Sequence, residues 1–407
     1  MVRGNAVEFK IAKRLQRVEP SPSIVAAQRA RELKAQGRDI ISLSVGEPDF
    51  PTPPHIIEAA AAAAKRGETK YTAIPGTLEL RSALAAKLKR ENGLDYTTDE
   101  VMVSTGGKQA IFNVIVATME AGDEAVIPAP FWIAYSDCVL YAGAKPVIVP
   151  CPAETKFKIT PGMLESAITP ATRWLVLNSP SNPSGAVYTR EDYLGLAEVL
   201  RRHPHVAVMV DEMYEHIVFD GHTCESFVAV CPDMKDRSVI INGVSKTYSM
   251  TGWRIGFAAG PAELIKQMSK LQAQVTSGPS SVGQAAALAA LTGPQDSVEQ
   301  YRAAFEERRD LIVAMLNQAK GITCVKPAGA FYAFPSCAGL IGRRTPEGKV
   351  IENDRDFVMY LMNGEGVAAV HGAAYGVSPH FRLSFAASTE DITRACERIQ
   401  RACAALR

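Results

Sequence analysis

The sequence predicts an α/β protein: one large, mostly parallel sheet flanked by helices, with a smaller α+β region built from the N- and C-terminal segments. Three observations carry that expectation. Short apolar runs alternate with helical patterns from about residue 100 to 260, the rhythm of βα units. After a long amphipathic helix the texture changes to short strands mixed with helices. A chain of 407 residues with 47% hydrophobic content can bury two substantial cores and is too apolar to be disordered.

Strands are expected at 101–104, 124–127, 145–149, 173–178, 206–211 and 238–242, each β-branched-rich and followed by Gly, Pro, Ser or acidic residues. The alanine-rich 59–64 reads as helix. Ile111, Val114, Ile115 and Met119 mark a helix after the first strand. Tyr193, Leu196, Ala197 and Leu200 mark another, capped by Thr189 with Asp192 and stopped at His203-Pro204. A longer helix carries Tyr301, Ala304, Phe305, Ile312, Met315 and Leu316 on one face. Beyond it come strand 331–334, helix 354–362, strands 367–370 and 381–385, and a last helix with Ile392, Ala395, Cys396 and Ile399 inward. The expected division is 1–50 contributing to the small domain, 51–305 as the large domain, and 306–407 completing the small one, with no flexible linker and no internal repeat.

Charge narrows the function. With 44 basic and 43 acidic residues and no long run of either sign, neither nucleic acid nor membrane is the expected partner, and a small molecule is. Residues 1–16 lack the apolar core of a secretory signal, and no stretch is long enough to span a bilayer, so a cytoplasmic protein is expected. The eight cysteines form no C-x-x-C pair, and no metal site is expected; Cys396 and Cys403 read as small buried side chains.

The chemistry-bearing stretch runs from Gly243 to Gly256, directly after a buried strand. A strand-end lysine among small and apolar residues, Lys246, is partly desolvated, which favours the neutral amine that Schiff-base chemistry needs. Eight residues on, Arg254 presents a fork of donors suited to phosphate. Ser104-Thr105-Gly106-Gly107-Lys108-Gln109 opens a helix, and such a start binds anions. Asn182 sits on a Pro-rigid turn and Asp211 at a strand end, where open α/β sheets place ligands. Arg382, between Phe381 and Leu383, is hard to leave unpaired in a strand.

Gly243, Ser245, Lys246, Ser249, Met250, Gly252, Arg254 and Gly256 resemble the lysine signature of the class I/II aminotransferases of fold-type I, which use pyridoxal 5'-phosphate. The likeness extends from Pro20-Ser21-Pro22-Ser23 through Gly46-Glu47-Pro48, Lys70-Tyr71 and Arg382, and is nearest to the bacterial aspartate aminotransferase branch. It implies that Lys246 holds the cofactor covalently, with Asp211 on the ring nitrogen, Asn182 and Tyr214 on the phenolic oxygen, and Trp132 on the ring face. Gly107, Lys108, Ser245 and Arg254 would serve the phosphate, joined by Tyr71 from a second subunit of a homodimer. For substrate it implies Gly46, Trp132, Asn182 and Arg382 around the α-carboxylate, and Lys108, Ser21 and Ser23 at a distal carboxylate.

The implied activity is amino-group transfer between an L-amino acid, aspartate first, and a 2-oxo acid such as 2-oxoglutarate, by a ping-pong mechanism. Glu19 departs from the lysine found in relatives that accept prephenate, which counts against prephenate. His371 replaces a usual proline. Aromatic or neutral amino acids remain alternative donors, and a lyase or synthase of the same fold would keep the same cofactor residues. A non-catalytic regulatory module is the alternative from another class; about 40 residues precede Gly46, and no DNA-binding domain is expected in them.

Overall fold

The computed structural model describes residues 9–407; of the segment 1–16 discussed above, the first eight lie outside the described residues. Strand β1 (Ile41–Ser42) comes first. Then β2 (Val101–Ser104), β3 (Glu124–Ala129), β4 (Lys145–Pro150), β5 (Thr172–Asn178), β6 (Ala207–Asp211), β7 (Ser238–Gly243) and β8 (Gly256–Ala259) build one seven-stranded sheet in the order β2-β8-β7-β6-β5-β3-β4. All its pairings are parallel except those of β8, which runs antiparallel to both β2 and β7. Six of these strands match expectation within a residue or two at their ends, and β8 was not foreseen. Its first residue is glycine for a packing reason: a Cβ on Gly256 would lie 2.3 Å from the Gly107 nitrogen, so the strand can pass the helix start only without a side chain.

Apolar side chains cover both faces of this sheet. Val103, Leu175, Val208 and Ile240 point to one side, and Met102, Val176, Met209 and Ile241 to the other, as the alternation of a strand requires. The helix Arg190–Arg202 packs there through Tyr193, Leu196, Ala197 and Leu200, and Thr189 and Asp192 form the expected capping box. Such a cap is worth about 1 kcal/mol.

The C-terminal region holds β9 (Tyr332–Ala333), β10 (Val367–Ala368), β11 (Val370–His371) and β12 (Phe381–Ser384). The single strand expected over 367–370 is in fact two. Val367–Ala368 pairs with β1, Val370–His371 pairs with β12, and Ala369 switches the chain between sheets. Only Tyr332–Ala333 of the expected 331–334 is strand, and the expected helix 354–362 is α-helical over Asp354–Tyr360 before a π turn at Leu361–Glu365. Because β1 pairs with β10, Ile41 and Leu43 join a core made by Phe331, Phe381, Ile392, Cys396 and Cys403. The helix Asp296–Leu316 runs unbroken through residue 305.

Candidate active site

Asn178 and Asp211 are register partners at the C-terminal ends of β5 and β6, next to the point where strand order reverses toward β3. A cavity of about 290 Å³ opens there. Of the expected site residues it gathers Ser21, Ser23, Gly46, Gly107, Lys108, Trp132, Asn182, Asp211, Tyr214, Ser245, Lys246, Arg254 and Arg382. It leaves out Tyr71, which is 98% exposed elsewhere on the chain. Glu19 is exposed and does not line the cavity, and neither does His371 in β11.

Lys246 follows the end of β7. Its side chain is half-buried because the amine opens onto the cavity, and Nζ donates to the Gly46 carbonyl at 2.6 Å. Desolvation by the surrounding protein pulls the amine down to about 8; Glu47 opposes that, and Arg382 and Arg254 add to it.

Asp211 is buried, its Oδ2 accepting from the Tyr135 hydroxyl at 2.6 Å and its Oδ1 from the Met213 N–H at 3.1 Å. Burial raises its carboxyl, against the pull of those two donors and of Lys246. Tyr135 itself packs edge-to-face on Trp132, ring centroids 5.6 Å apart. The Lys108 amine stands 5.0 Å from the Trp132 ring centroid, so this exposed cation leans over an aromatic face at the cavity wall.

Arg382 on β12 is 3% exposed and has no carboxylate partner among the described residues. Nη1 donates to Asn182 Oδ1 at 2.9 Å, Nη2 to the Ser44 carbonyl at 2.6 Å and to Ser23 Oγ at 3.2 Å, and Nε donates to nothing. A guanidinium is donor only, so Asn182 must turn its oxygen to Arg382 and its NH₂ to the cavity. A buried cation without an anion is costly, and a carboxylate ligand would relieve that cost. Ser23 also reaches Tyr375 Oη at 3.3 Å. Its hydroxyl therefore serves the Arg382 end of the site in this structure.

The opposite end is an anion cradle. The helix Gly107–Thr118 begins without a side-chain cap; the Gln109 N–H turns back to the Gly106 carbonyl at 3.1 Å, so the Gly107 and Lys108 N–H groups are the ones left for a ligand, and Gly106 precedes the helix with φ +79°. A Cβ on Gly106 would lie 2.4 Å from Arg254 Nη2, so glycine lets the guanidinium lie against the helix start. Arg254 donates to the Thr251 carbonyl at 2.7 Å and has no acidic partner among the described residues.

Sequence reasoning missed Tyr135 and Tyr332. Each touches an expected residue through a hydroxyl, Tyr135 to Asp211 and Tyr332 to Tyr214 at 2.7 Å, and no local pattern announces a contact across 76 or 118 residues.

The sequence pattern of the family described as aminotransferase class I and II matches residues 38–399. A probable aspartate/prephenate aminotransferase of Rhizobium leguminosarum is 53% identical over 97% of this chain and 99% of its own length. The aspartate/prephenate aminotransferase of Cereibacter sphaeroides is 53% identical over 96% and 98%. The crystal structure of the Rhizobium meliloti aspartate aminotransferase superposes with a TM-score of 0.96 at 50% identity, covering 98% of this chain and all of that one. The Thermus thermophilus aspartate aminotransferase with maleate gives 0.91 at 38% identity, covering 97% and 100%.

Proposed function

The chain belongs to the aminotransferase class I and II family, and from that premise we propose that it moves the amino group of aspartate to 2-oxoglutarate with pyridoxal 5'-phosphate as cofactor. The unfilled valences of the cavity fit that cofactor group by group. The uncapped helix at Gly107, with Ser245 and the unpaired Arg254, suits the phosphate. Asp211 suits the ring nitrogen, the Asn182 NH₂ and the Tyr214 hydroxyl the phenolic oxygen, Trp132 the ring face, and Lys246 the aldehyde.

When bound, the cofactor supplies an electron sink for the pair released from the substrate Cα–H bond. The protein does the rest. Lys246, with its amine near 8, would take the proton from the substrate Cα and return it on the far side of the amino nitrogen, which is general-base and then general-acid work. Asp211 would hold a proton on the ring nitrogen of the bound cofactor, and Tyr135 and the Met213 N–H fix its oxygens in place. Arg382 fixes the α-carboxylate as a two-pronged donor, and Lys108 with Ser21 meets the distal carboxylate. A 2-oxo acid then follows the same path in reverse, so the two substrates alternate in one site.

The observation that carries this reading is a lysine amine with no acidic partner among the described residues, in one cavity with a buried carboxylate and a buried, anion-free guanidinium. The same site read as an acceptor of prephenate is supported by the names of two relatives at 53% identity and by Glu19 lying outside the cavity wall. Tyr71 belongs, on our reading, to a homodimer in which it enters the partner's phosphate cradle; its exposure supports this, as does a second cavity of about 700 Å³ beside the cradle at Thr105, Thr251 and Arg254. We also assign 51–305 to a large domain and the flanking segments to a small one, supported by the β1 to β10 pairing. Among the described residues no helix is long and apolar enough to cross a membrane, and all eight cysteines are free, which supports a cytoplasmic enzyme.

The test is spectroscopic. Aspartate alone should bleach the visible band of the cofactor-loaded protein and release oxaloacetate, and 2-oxoglutarate should restore the band and release glutamate. Release of ammonia or carbon dioxide from aspartate instead would assign a lyase.

A further inference from the structure

Tyr332 reaches this site from β9, in the C-terminal region, and meets three of its functional groups. Its hydroxyl lies 2.7 Å from the Tyr214 hydroxyl. Its ring lies under the Arg382 guanidinium, 4.6 Å from ring centroid to Cζ. Its Oη also presses on Gly46, where a Cβ would lie only 2.0 Å away; Gly46 supplies the carbonyl that accepts from Lys246.

Burial and the nearby guanidinium together favour one direction for the tyrosine pair. Each hydroxyl carries one proton and can accept from others. Tyr332 is 1% exposed, and Tyr214 Oη is its one hydrogen-bond partner among the described residues. Both tyrosines line the cavity, but Tyr332 is 1% exposed against 5% for Tyr214, so Tyr214 as donor would leave the more deeply buried proton without a protein acceptor. The positive charge of Arg382 over the ring also favours Tyr332 as the donor. Tyr214 lines the cavity and has no other acceptor among the described residues, so its own proton points into the cavity.

We infer that Tyr332 is a positioning residue whose hydroxyl donates to Tyr214 and thereby turns the Tyr214 proton toward the ligand. The inference rests on the cofactor reading above, in which that ligand atom is the phenolic oxygen. A Tyr214 proton delivered there competes with the proton shared between this oxygen and the Lys246 nitrogen. Removing the Tyr332 hydroxyl weakens the Tyr214 donation, since donors in a chain polarise one another. The shared proton is then held more tightly.

The experiment is a pH titration of the visible band of the pyridoxal-phosphate-loaded protein. Tyr332→Phe keeps the ring over Arg382 and against Gly46 and removes only the oxygen. Its midpoint should rise by about half to one pH unit. Tyr214→Phe should raise it at least as far, and the double variant should match Tyr214→Phe alone, because Tyr332 acts through Tyr214. Replacing Tyr332 by 3-fluorotyrosine, a stronger donor, should lower the midpoint and keeps the idea testable if the phenylalanine variant folds poorly. An unmoved midpoint in folded Tyr332→Phe, or a double variant showing the sum of the single shifts, overturns the inference and leaves the cofactor reading standing. Absence of any visible band in the unaltered protein overturns both.

Discussion

Lys87 and Lys246 both lie in the protein interior or at its edge, and their surroundings shift their amines in opposite directions. Lys87, on the helix Leu78–Asn92, is 2% exposed, yet its amine is pushed up. Burial pulls it down, but ionic contacts with Glu215 and with Glu91 at 3.4 Å more than offset that, and Asn92 Oδ1 accepts at 3.0 Å. Among the described residues Lys246 has the Gly46 carbonyl as its one hydrogen-bond partner, and burial prevails. Burial alone therefore does not decide a lysine's charge; the presence of a bonded carboxylate does.

The two lysines are also mechanically related. Glu215 accepts from Asn242 Nδ2 at 2.7 Å, and Asn242 lies in β7, which leads into the Lys246 loop. His216 links Glu91 to Thr247, with both contacts at 3.1 Å, and Thr247 follows Lys246 directly. A charged, hydrogen-bonded layer thus holds the backbone that carries Lys246.

Breaking the comparison at Lys246 has the largest expected effect. Lys246→Ala should lower turnover at least roughly a thousandfold while leaving the melting temperature unchanged or raised, because it removes an amine that burial disfavours as a cation. Steady-state assay with calorimetry checks both halves. Breaking it at Lys87 should do the reverse. Lys87→Met strands the Glu215 carboxylate and should cost about 3–5 kcal/mol in denaturant unfolding, much of it recovered in Lys87→Met/Glu215→Leu.

Lys108 sharpens the comparison as a third, exposed lysine whose charge is used for recognition. Lys108→Ala should lower kcat/KM for aspartate roughly tenfold to a hundredfold more than for phenylalanine or alanine, since only the dicarboxylate loses a charge-assisted bond of about 1.5–3 kcal/mol. Equal losses would place the distal carboxylate elsewhere.

A further effect is on the pH dependence of stability in the cofactor-free protein. Between about 8 and the unfolded value of 10.5, folded Lys246 has released its proton while the unfolded chain keeps one. Stability therefore rises with pH across that window, and Lys246→Met should remove this rise in unfolding titrations. Lys87 contributes stability that is complete below 10.5 and lost only above it. Glu91, lowered to about 2 by His216 and Lys87 against its own desolvation, contributes stability present above 4.5 and lost as pH falls toward about 2.

What the sequence made legible follows the range of each interaction. Lys246, Asp211, Asn182 and Arg254 stand at strand ends and helix starts that hydrophobic patterning and turn residues mark locally, and all four line the cavity. The Glu215 layer, Tyr135 and Tyr332 were not legible, because their meaning lies in partners that only the closed sheet brings near. Strand β8 was hidden by its glycine start and four-residue length. Ser23 lines the cavity as expected, and its contacts with Arg382 and Tyr375 were not legible because they depend on how the helix Pro22–Ala35 docks.

The most direct measurement is a pH titration of the lysine ε-carbon NMR signals in the cofactor-free protein, with Lys87 and Lys246 assigned by substitution. Lys246 should titrate with a midpoint near 8, and Lys87 should stay protonated past its ordinary 10.5. A Lys246 midpoint at or above 10.5, or a Lys87 that loses its proton first, would contradict the view that the missing carboxylate partner makes Lys246 the reactive amine.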